Sequence, residues 1–287
     1  MTTTQRVLVT GATGNIGRSL VTHLMRATSD LEVIAASPKA QAAAGIPARA
    51  LDLLDTASDN AAMQAIDRLF LLTPAHPEME AMTAHAVKAA QAAGVGHIVR
   101  VSGAGADADS EVAIARLQGR CDRIVIESGI PYTLLRPKNF MQNFTTFLRD
   151  MIRAGTVYSS QGEGRVPLID ARDIAAVAAS VLAHPGAHAG QVYTLTGPEA
   201  FTHAEALAVI AQTIGRPVKL VPIMEEQAIA GMRQTGMPEA MVQAMSSLNR
   251  VIAAGWVAEV TGDVPRLLER PATRWVDFVF EHRGVWQ

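Results

Sequence analysis

The residues Val7-Leu-Val-Thr-Gly11-Ala-Thr-Gly14-Asn-Ile-Gly17 limit what this chain can fold into more than any other stretch. A short apolar run gives way to a polar, glycine-bearing turn, and an amphipathic stretch follows at once. That order reads as a buried strand, a tight turn and a helix. Gly11 frees the backbone to leave the strand sharply, and Gly14 clears the face a phosphate would approach. Gly17 lets the helix sit close to the strand. The amides of Thr13, Asn15 and Ile16 then lie at a helix N-terminus, where unpaired N–H groups and the helix dipole favour an anion. The turn therefore predicts a site for a dinucleotide pyrophosphate.

The rest of the first half repeats the pattern. Short apolar runs bounded by Gly, Pro, Ser or Asp predict strands over 6–10, 32–35, 48–51, 68–72, 97–102 and 132–136. Ala-, Leu- and Met-rich stretches between them predict helices over 15–26, 77–93 and 111–128. Strands alternating with helices make βαβ units, so the expected class is α/β, a Rossmann-type doubly wound parallel sheet. The second half changes character. It predicts helices over 140–154, 172–183, 203–214, 225–234, 239–253 and 271–281, with strands over 191–196 and 217–222. The expected organisation is an NAD(P)-binding Rossmann domain over 1–155 and a smaller, mostly helical substrate-capping subdomain over 156–287. Some elements of the latter are expected to return to the sheet.

Composition removes other functions. With 49% hydrophobic and 18% charged residues, the 287-residue chain is globular. Lys and Arg total 25 against 27 Asp and Glu, and no basic cluster breaks that balance, which argues against direct nucleic-acid binding. Cys121 is the one cysteine, so neither an intramolecular disulfide nor a CxxC site exists. No apolar run approaches the ~18 residues of a membrane span. The first residues run straight into a strand without the pattern of a signal peptide, and the expected compartment is cytoplasmic. GxSxG, GxxxxGK[ST] and HExxH patterns are missing. Pro185-Gly186 interrupts the helix that His184 and His188 would need as a ligand pair, so no metal is expected. Asp173 precedes an apolar helical run and is expected to cap it.

The choice of dinucleotide rests on the end of the second strand, Ile34-Ala-Ala-Ser37-Pro-Lys39, where an acid for the ribose hydroxyls would stand. None is present, and Ser37 and Lys39 are placed to contact a 2′-phosphate. NADPH is the expected cofactor, with NADH the alternative.

The spacing GxxGxxG resembles the short-chain dehydrogenase/reductase superfamily, and more narrowly its atypical NmrA-like branch. Ala50-Leu-Asp52-Leu, Gly129-Ile-Pro-Tyr-Thr-Leu-Leu-Arg-Pro137, Phe140-Met-Gln-Asn143-Phe144, Pro167-Leu-Ile-Asp170-Ala-Arg-Asp173, Tyr193-Thr-Leu-Thr-Gly-Pro198-Glu199 and Trp275-Val-Asp-Phe-Val-Phe-Glu-His282 resemble it too. The resemblance implies a bacterial reductase of quinones, azo dyes or triphenylmethane dyes. It also implies that Asp52 and Leu53 lie at the adenine, and that Thr73 and Pro74 line the path to the pyrophosphate. Ser102, Gly103 and Pro137 to Phe140, Asn139 included, would face the nicotinamide.

One hallmark of the superfamily is missing. Its Tyr-x-x-x-Lys pair places a phenol beside an ammonium on one helical face, but Tyr132, Tyr158 and Tyr193 are followed four residues on by Arg136, Gly162 and Gly197. Aligned on Ser128-Gly-Ile-Pro-Tyr-Thr, Gln118 stands where NmrA-like reductases often carry Lys or His. Gln hydrogen-bonds a substrate but cannot act as a general acid. Ser102, Gln118 and Lys138 are the candidates for a catalytic contact. Phe140, Met141, Phe144 and Trp256, with Phe147, Met232 and Met237, are candidates for an apolar substrate pocket. Two readings stand: an NAD(P)H-dependent oxidoreductase for a small planar conjugated acceptor, or a non-catalytic NAD(P)-sensing regulator acting through a protein partner. Either is compatible with a homodimer.

Overall fold

Buried strands need their backbone groups paired on both sides, and the alternating first half meets that need in a single sheet. The computed structural model describes residues 4–27, 30–40 and 45–287. In chain order the sheet-forming part runs β1 (Gln5–Thr10), α1 (Asn15–Ala27), β2 (Leu31–Ser37), β3 (Ala48–Ala50), α2 (Thr56–Ala62) and β4 (Arg68–Leu71). It continues with α3 (Met79–Ala93), β5 (His97–Val101), α4 (Ala113–Glu127) and β6 (Tyr132–Pro137). The seven-stranded order is Gln191–Leu195, β6, β5, β4, β1, β2, β3. Every pairing from β6 to β3 is parallel. The chain runs outward from β1 through β2 to β3, then crosses back to β4 on the other side of β1. The strand order thus reverses between β1 and β4, which is where an open α/β sheet leaves a crevice at its carboxyl edge.

One face of the sheet buries Leu8, Ile34, Leu69, Leu71, Ile98 and Leu134 against Met63, Met82, Ala86, Ala90 and Val125 from the helices. The helix Ala171–Ala183 packs on α1. Its Ala171, Ala175, Ala178 and Ala179 are buried, and side chains this small let two helices approach closely. The chain divides into two compact units. The sheet unit comprises Met1–Glu111, Ala115–Pro137 and Ala171–Thr194, and the other comprises Val112–Ile114, Lys138–Asp170 and Leu195–Gln287.

The second unit holds more strand than the sequence suggests. Val166–Ile169 pairs in parallel with Asn139–Phe140 and antiparallel with Ala200–Phe201, and Thr156–Ser159 pairs in parallel with Lys219–Pro222. Pro167 sits inside the central strand of the first set, a residue that argues against a strand when read alone. The helix expected over 140–154 is broken into a 3₁₀ turn, Met141–Phe144, and a short helix, Arg149–Arg153. The Gln142 carbonyl accepts from the amides and hydroxyls of both Thr145 and Thr146, and the ladder slips one residue on, where the Asn143 carbonyl accepts from the Leu148 amide at 2.8 Å instead of from a residue four along. A helix at Asp263–Leu268 was not expected, and the last one begins at Trp275 rather than 271. The Ala171–Ala183 helix begins two residues before Asp173, which therefore lies in its first turn instead of capping it from outside.

Candidate active site

A cavity of about 410 Å³ opens at the switch point between β1 and β4. Thr10 fixes its floor: the hydroxyl accepts from the Leu72 amide at 2.7 Å and faces the Phe70 and Leu72 carbonyls at 3.1 Å. The chain then turns at Gly11, whose φ of +63° lies in the left-handed region. The Gly14 amide closes the turn on the Gly11 carbonyl at 2.9 Å, and Arg18 reaches back to the Thr13 carbonyl at 2.9 Å. A side chain at Gly17 would meet the Gly11 carbonyl oxygen at 2.2 Å, so only glycine lets α1 start this close to the strand. The first amides of α1 have no acceptor inside the helix and are available to an anion.

Gly11, Thr13 and Gly14 line this cavity, as do Ser37, Asp52, Leu53 and Pro74. Asn15 and Gly17 belong to the turn and helix start without lining it, and Ile16 is buried. Thr73 is buried beside Pro74, and Lys39 stands exposed outside the lining. The lining contains one carboxylate, Asp52, and no lysine or arginine. An anion here must be held by backbone amides and hydroxyls, which is the donor set a pyrophosphate takes at a helix N-terminus. Leu51, Leu53 and Met82 add apolar side chains to the lining, the kind of surface a nucleobase packs on. The residues present fit the adenosine and pyrophosphate of a dinucleotide.

The carboxyl ends of β5 and β6 are built differently. Arg100, in the middle of β5, is wholly buried. It donates through Nη1 to Asp122 and through Nη2 to Oε1 of Gln118 at 2.7 Å, both on α4. Asp122 also accepts from the Ser102 hydroxyl at 2.9 Å and from Nη2 of Arg136 at 2.8 Å. Ser102 is thus a donor to a carboxylate. The Gln118 side chain lies against Gly103, where an added Cβ would meet its Cγ at 3.4 Å. Arg100, Asp122 and Arg136 were missed from the sequence. The available signal was a charge at the centre of His97-Ile-Val-Arg100-Val, a strand paired on both sides.

The remaining candidates belong to the second unit. Lys138 Nζ donates to the carbonyls of Val257 at 2.8 Å and Glu259 at 2.6 Å, and burial lowers its pKa. That ammonium ties two chain segments together. Met141 and Phe144 are core side chains, Phe144 lying 4.7 Å from the Trp275 ring. Asn139 and Phe140 form a short half-buried strand, while Trp256 and Phe147 are exposed. Met232 and Met237 are half-buried. Among the described residues no cluster of His, Cys, Asp and Glu has the grouping of a metal site, and no helix is long and apolar enough to cross a membrane.

Known proteins share this chain's sequence pattern and fold. The NAD(P)H-binding family matches residues 11–185. An NAD(P)H azoreductase of Xenophilus azovorans is 38% identical over 98% of this chain and 99% of its own. The crystal structure of an NADPH-dependent quinone oxidoreductase of Escherichia coli complexed with NADPH superposes with a TM-score of 0.83. It is 27% identical and covers 96% of this chain and 99% of its own. A Citrobacter triphenylmethane reductase complexed with NADP(H) shares the fold, with a TM-score of 0.82 at 24% identity, covering 97% of this chain and 99% of its own. An NmrA structure shares the fold at 15% identity with a TM-score of 0.76, and the chain belongs to the NAD(P)H-binding family and is an NAD(P)H-dependent reductase.

Proposed function

We propose that this reductase uses NADPH, and NADH less well, to reduce a small planar conjugated acceptor of the quinone, azo or dye class without a Tyr-x-x-x-Lys pair. The observation that carries the reading is the side of α4 that meets the end of β5. It presents Gln118, an amide, and no tyrosine of the chain has a lysine four residues on. Reducing a simple ketone leaves an alkoxide that calls for a positioned acid. A conjugated acceptor delocalises the charge it gains, and water then suffices as the proton source. The bound cofactor would supply a hydride, two electrons with one proton, and solvent the second proton. The chain's residues then only orient the partners and exclude bulk water. The relatives named above act on an azo compound, a quinone and a triphenylmethane dye by name, and planar conjugation is what those classes share.

In this reading the 11–17 turn holds the pyrophosphate, Asp52 and Leu53 the adenine, and Thr73 and Pro74 the adjoining ribose. Ser37, with Lys39 at the rim, takes the 2′-phosphate, and Ser102, Gly103 and Pro137 face the nicotinamide. Assignment of the acceptor to residues 156–287 with Asn139 and Phe140, a cytoplasmic setting and a homodimer belong to the same proposal. The test is a panel of acceptors with NADPH, followed by absorbance. Quinones and conjugated dyes should turn over ahead of unactivated ketones. Tyr132→Phe, Tyr158→Phe and Tyr193→Phe should each stay within about tenfold of wild type, because a lost general acid costs ~10²–10⁴. Fast ketone reduction that collapses in one tyrosine variant would overturn the reading. Tight cofactor binding with no turnover at all would favour the sensor.

A further inference from the structure

A guanidinium buried in a central parallel strand is costly unless its charge is used, and a packed apolar side chain would serve the sheet better. Arg100 spends two of its donor groups on α4, and its Nε has no partner among the described residues. Asp122 is shared between Arg100 and Arg136, so two guanidiniums face one carboxylate and the cluster keeps an excess positive charge. Gln118 and Ser102 are its neutral members, and of the two only Gln118 bonds Arg100. Its carbonyl oxygen is engaged by Arg100 at 2.7 Å, and its Nε2 has no partner among the described residues. Because the amide is planar, engaging the oxygen fixes which way the NH₂ faces. A donor that itself accepts from a cation is also a stronger donor. Gln118 lies against Gly103, at the carboxyl end of β5, the edge where an open α/β sheet receives ligands.

We propose that Arg100 is a positioning residue that locks the Gln118 carboxamide with its NH₂ presented to the acceptor, selecting neutral and anionic acceptors over cationic dyes. The inference rests on the reductase reading above and narrows its substrate class. A quinone oxygen or an azo nitrogen gains negative charge as hydride arrives, and the Gln118 donor with the excess charge behind it stabilises that charge. Gln118 gives up no proton, and water completes the product. A cationic triphenylmethane dye becomes neutral on accepting hydride, so nothing in its transition state rewards this arrangement, and the positive cluster opposes its approach.

Gln118→Glu keeps the contact to Arg100 and the shape of the side chain but presents an acceptor in place of a donor. Arg100→Met removes the lock and leaves Asp122 paired with Ser102 and Arg136. The readout is the ratio of kcat/KM for a quinone or a sulfonated azo dye to that for a cationic triphenylmethane dye. A second readout needs no turnover: the affinity of the sulfonated azo dye for protein saturated with NADP⁺, by calorimetry. The ratio should fall about 100-fold in Gln118→Glu, the scale of losing one donor to a developing anion. It should fall about tenfold in Arg100→Met, and azo-dye affinity should fall in both. Parallel changes for all acceptors would overturn the inference and leave the reductase reading standing. If wild type turns over no acceptor, that reading falls, and unchanged dye affinity in Gln118→Glu would overturn the inference as well.

Discussion

Two ends of one sheet edge use opposite chemistry. At the β1–β2 end, the cavity is lined by backbone, hydroxyls and apolar walls, with a single carboxylate and no cation. At the β5–β6 end, two arginines, an aspartate, a serine and a glutamine form a buried or half-buried network with almost every group engaged. Two of the fully buried aspartates, one near each end, make the contrast sharp. Both carboxylate oxygens of Asp59, on α2, lack a partner among the described residues. Asp122 accepts from three different side chains. The first end is organised by local backbone geometry, and the second by side chains that meet only when three separate elements have assembled.

The largest expected effect follows from the crowded aspartate. Asp122→Ala strands the buried Arg100 guanidinium without a counter-charge, and breaking such a pair typically costs about 3–5 kcal/mol. Denaturant unfolding should show a loss of that size. A loss below about 1 kcal/mol would mean that the cluster is hydrated enough to tolerate the charge, and the contrast between the two ends would dissolve.

The next effect belongs to the backbone end. A valine at position 14 would put its Cβ 3.3 Å from the Gly11 carbonyl oxygen, tight but tolerable, while its branches project toward the phosphate path. Gly14→Val should stay folded, with a melting midpoint within a few degrees of wild type, and lose at least about 100-fold in dinucleotide affinity by calorimetry, about 2.7 kcal/mol. Undiminished affinity in a folded variant would show that the pyrophosphate does not approach this turn.

This difference also explains what could be read from sequence. The Gly11-to-Gly17 turn and its flanking strand and helix are legible because each glycine answers a constraint within a few residues of itself. The strands β1, β2, β4, β5 and β6 are legible because apolar runs of that length between helices have few other solutions. Residues 140–154 misled because the Met141, Phe144, Leu148 and Met151 spacing is helical, while the ladder slips at Asn143, whose carbonyl accepts from the Leu148 amide five residues on. The Arg100–Gln118–Asp122–Arg136 network stayed out of reach, since only Gln118 and Asp122 are neighbours on one helical face. Their partners come from β5 and β6 through sheet register.

Asp59 offers a smaller effect of opposite sign to that of Asp122. Burial pushes its carboxyl from an ordinary 3.8 up to about 6, against an opposing pull from His85 on α3 and with Asp52 and Asp55 adding to the rise. A raised acid contributes stability that is full below the unfolded value and is lost as pH climbs through the folded one. The stability from this group should therefore decline between about pH 4 and pH 6. Asp59→Asn should raise the melting midpoint by a few degrees at pH 8 and by less at pH 5. An equal shift at both would show that the carboxyl is ionised and solvated throughout.

The smallest effect concerns the choice between the two dinucleotides, because the cavity's own lining holds no cation to attract a 2′-phosphate. NADPH is favoured mainly by what is missing, a carboxylate at the end of β2, with Ser37 in the lining and Lys39 just outside it. Lys39 is exposed, and a solvated charge of this kind is worth about 0.2–1 kcal/mol, a factor of about 1.4 to 5 in affinity. Wild type should therefore bind NADPH more tightly than NADH by a modest ratio at low salt. Lys39→Glu replaces that attraction with repulsion of similar size and should close or invert the gap. High salt should bring the two proteins together, since it shortens the screening length to a few ångströms. The arrangement at the other end of the sheet, where charges are buried and salt does little, provides the control: Gln118→Glu should leave the NADPH-to-NADH affinity ratio unchanged at either ionic strength. A large, salt-insensitive preference for NADPH in both wild type and Lys39→Glu would mean that a buried group outside this lining reads the 2′-phosphate. The backbone end would then be more like the side-chain end than its present lining suggests.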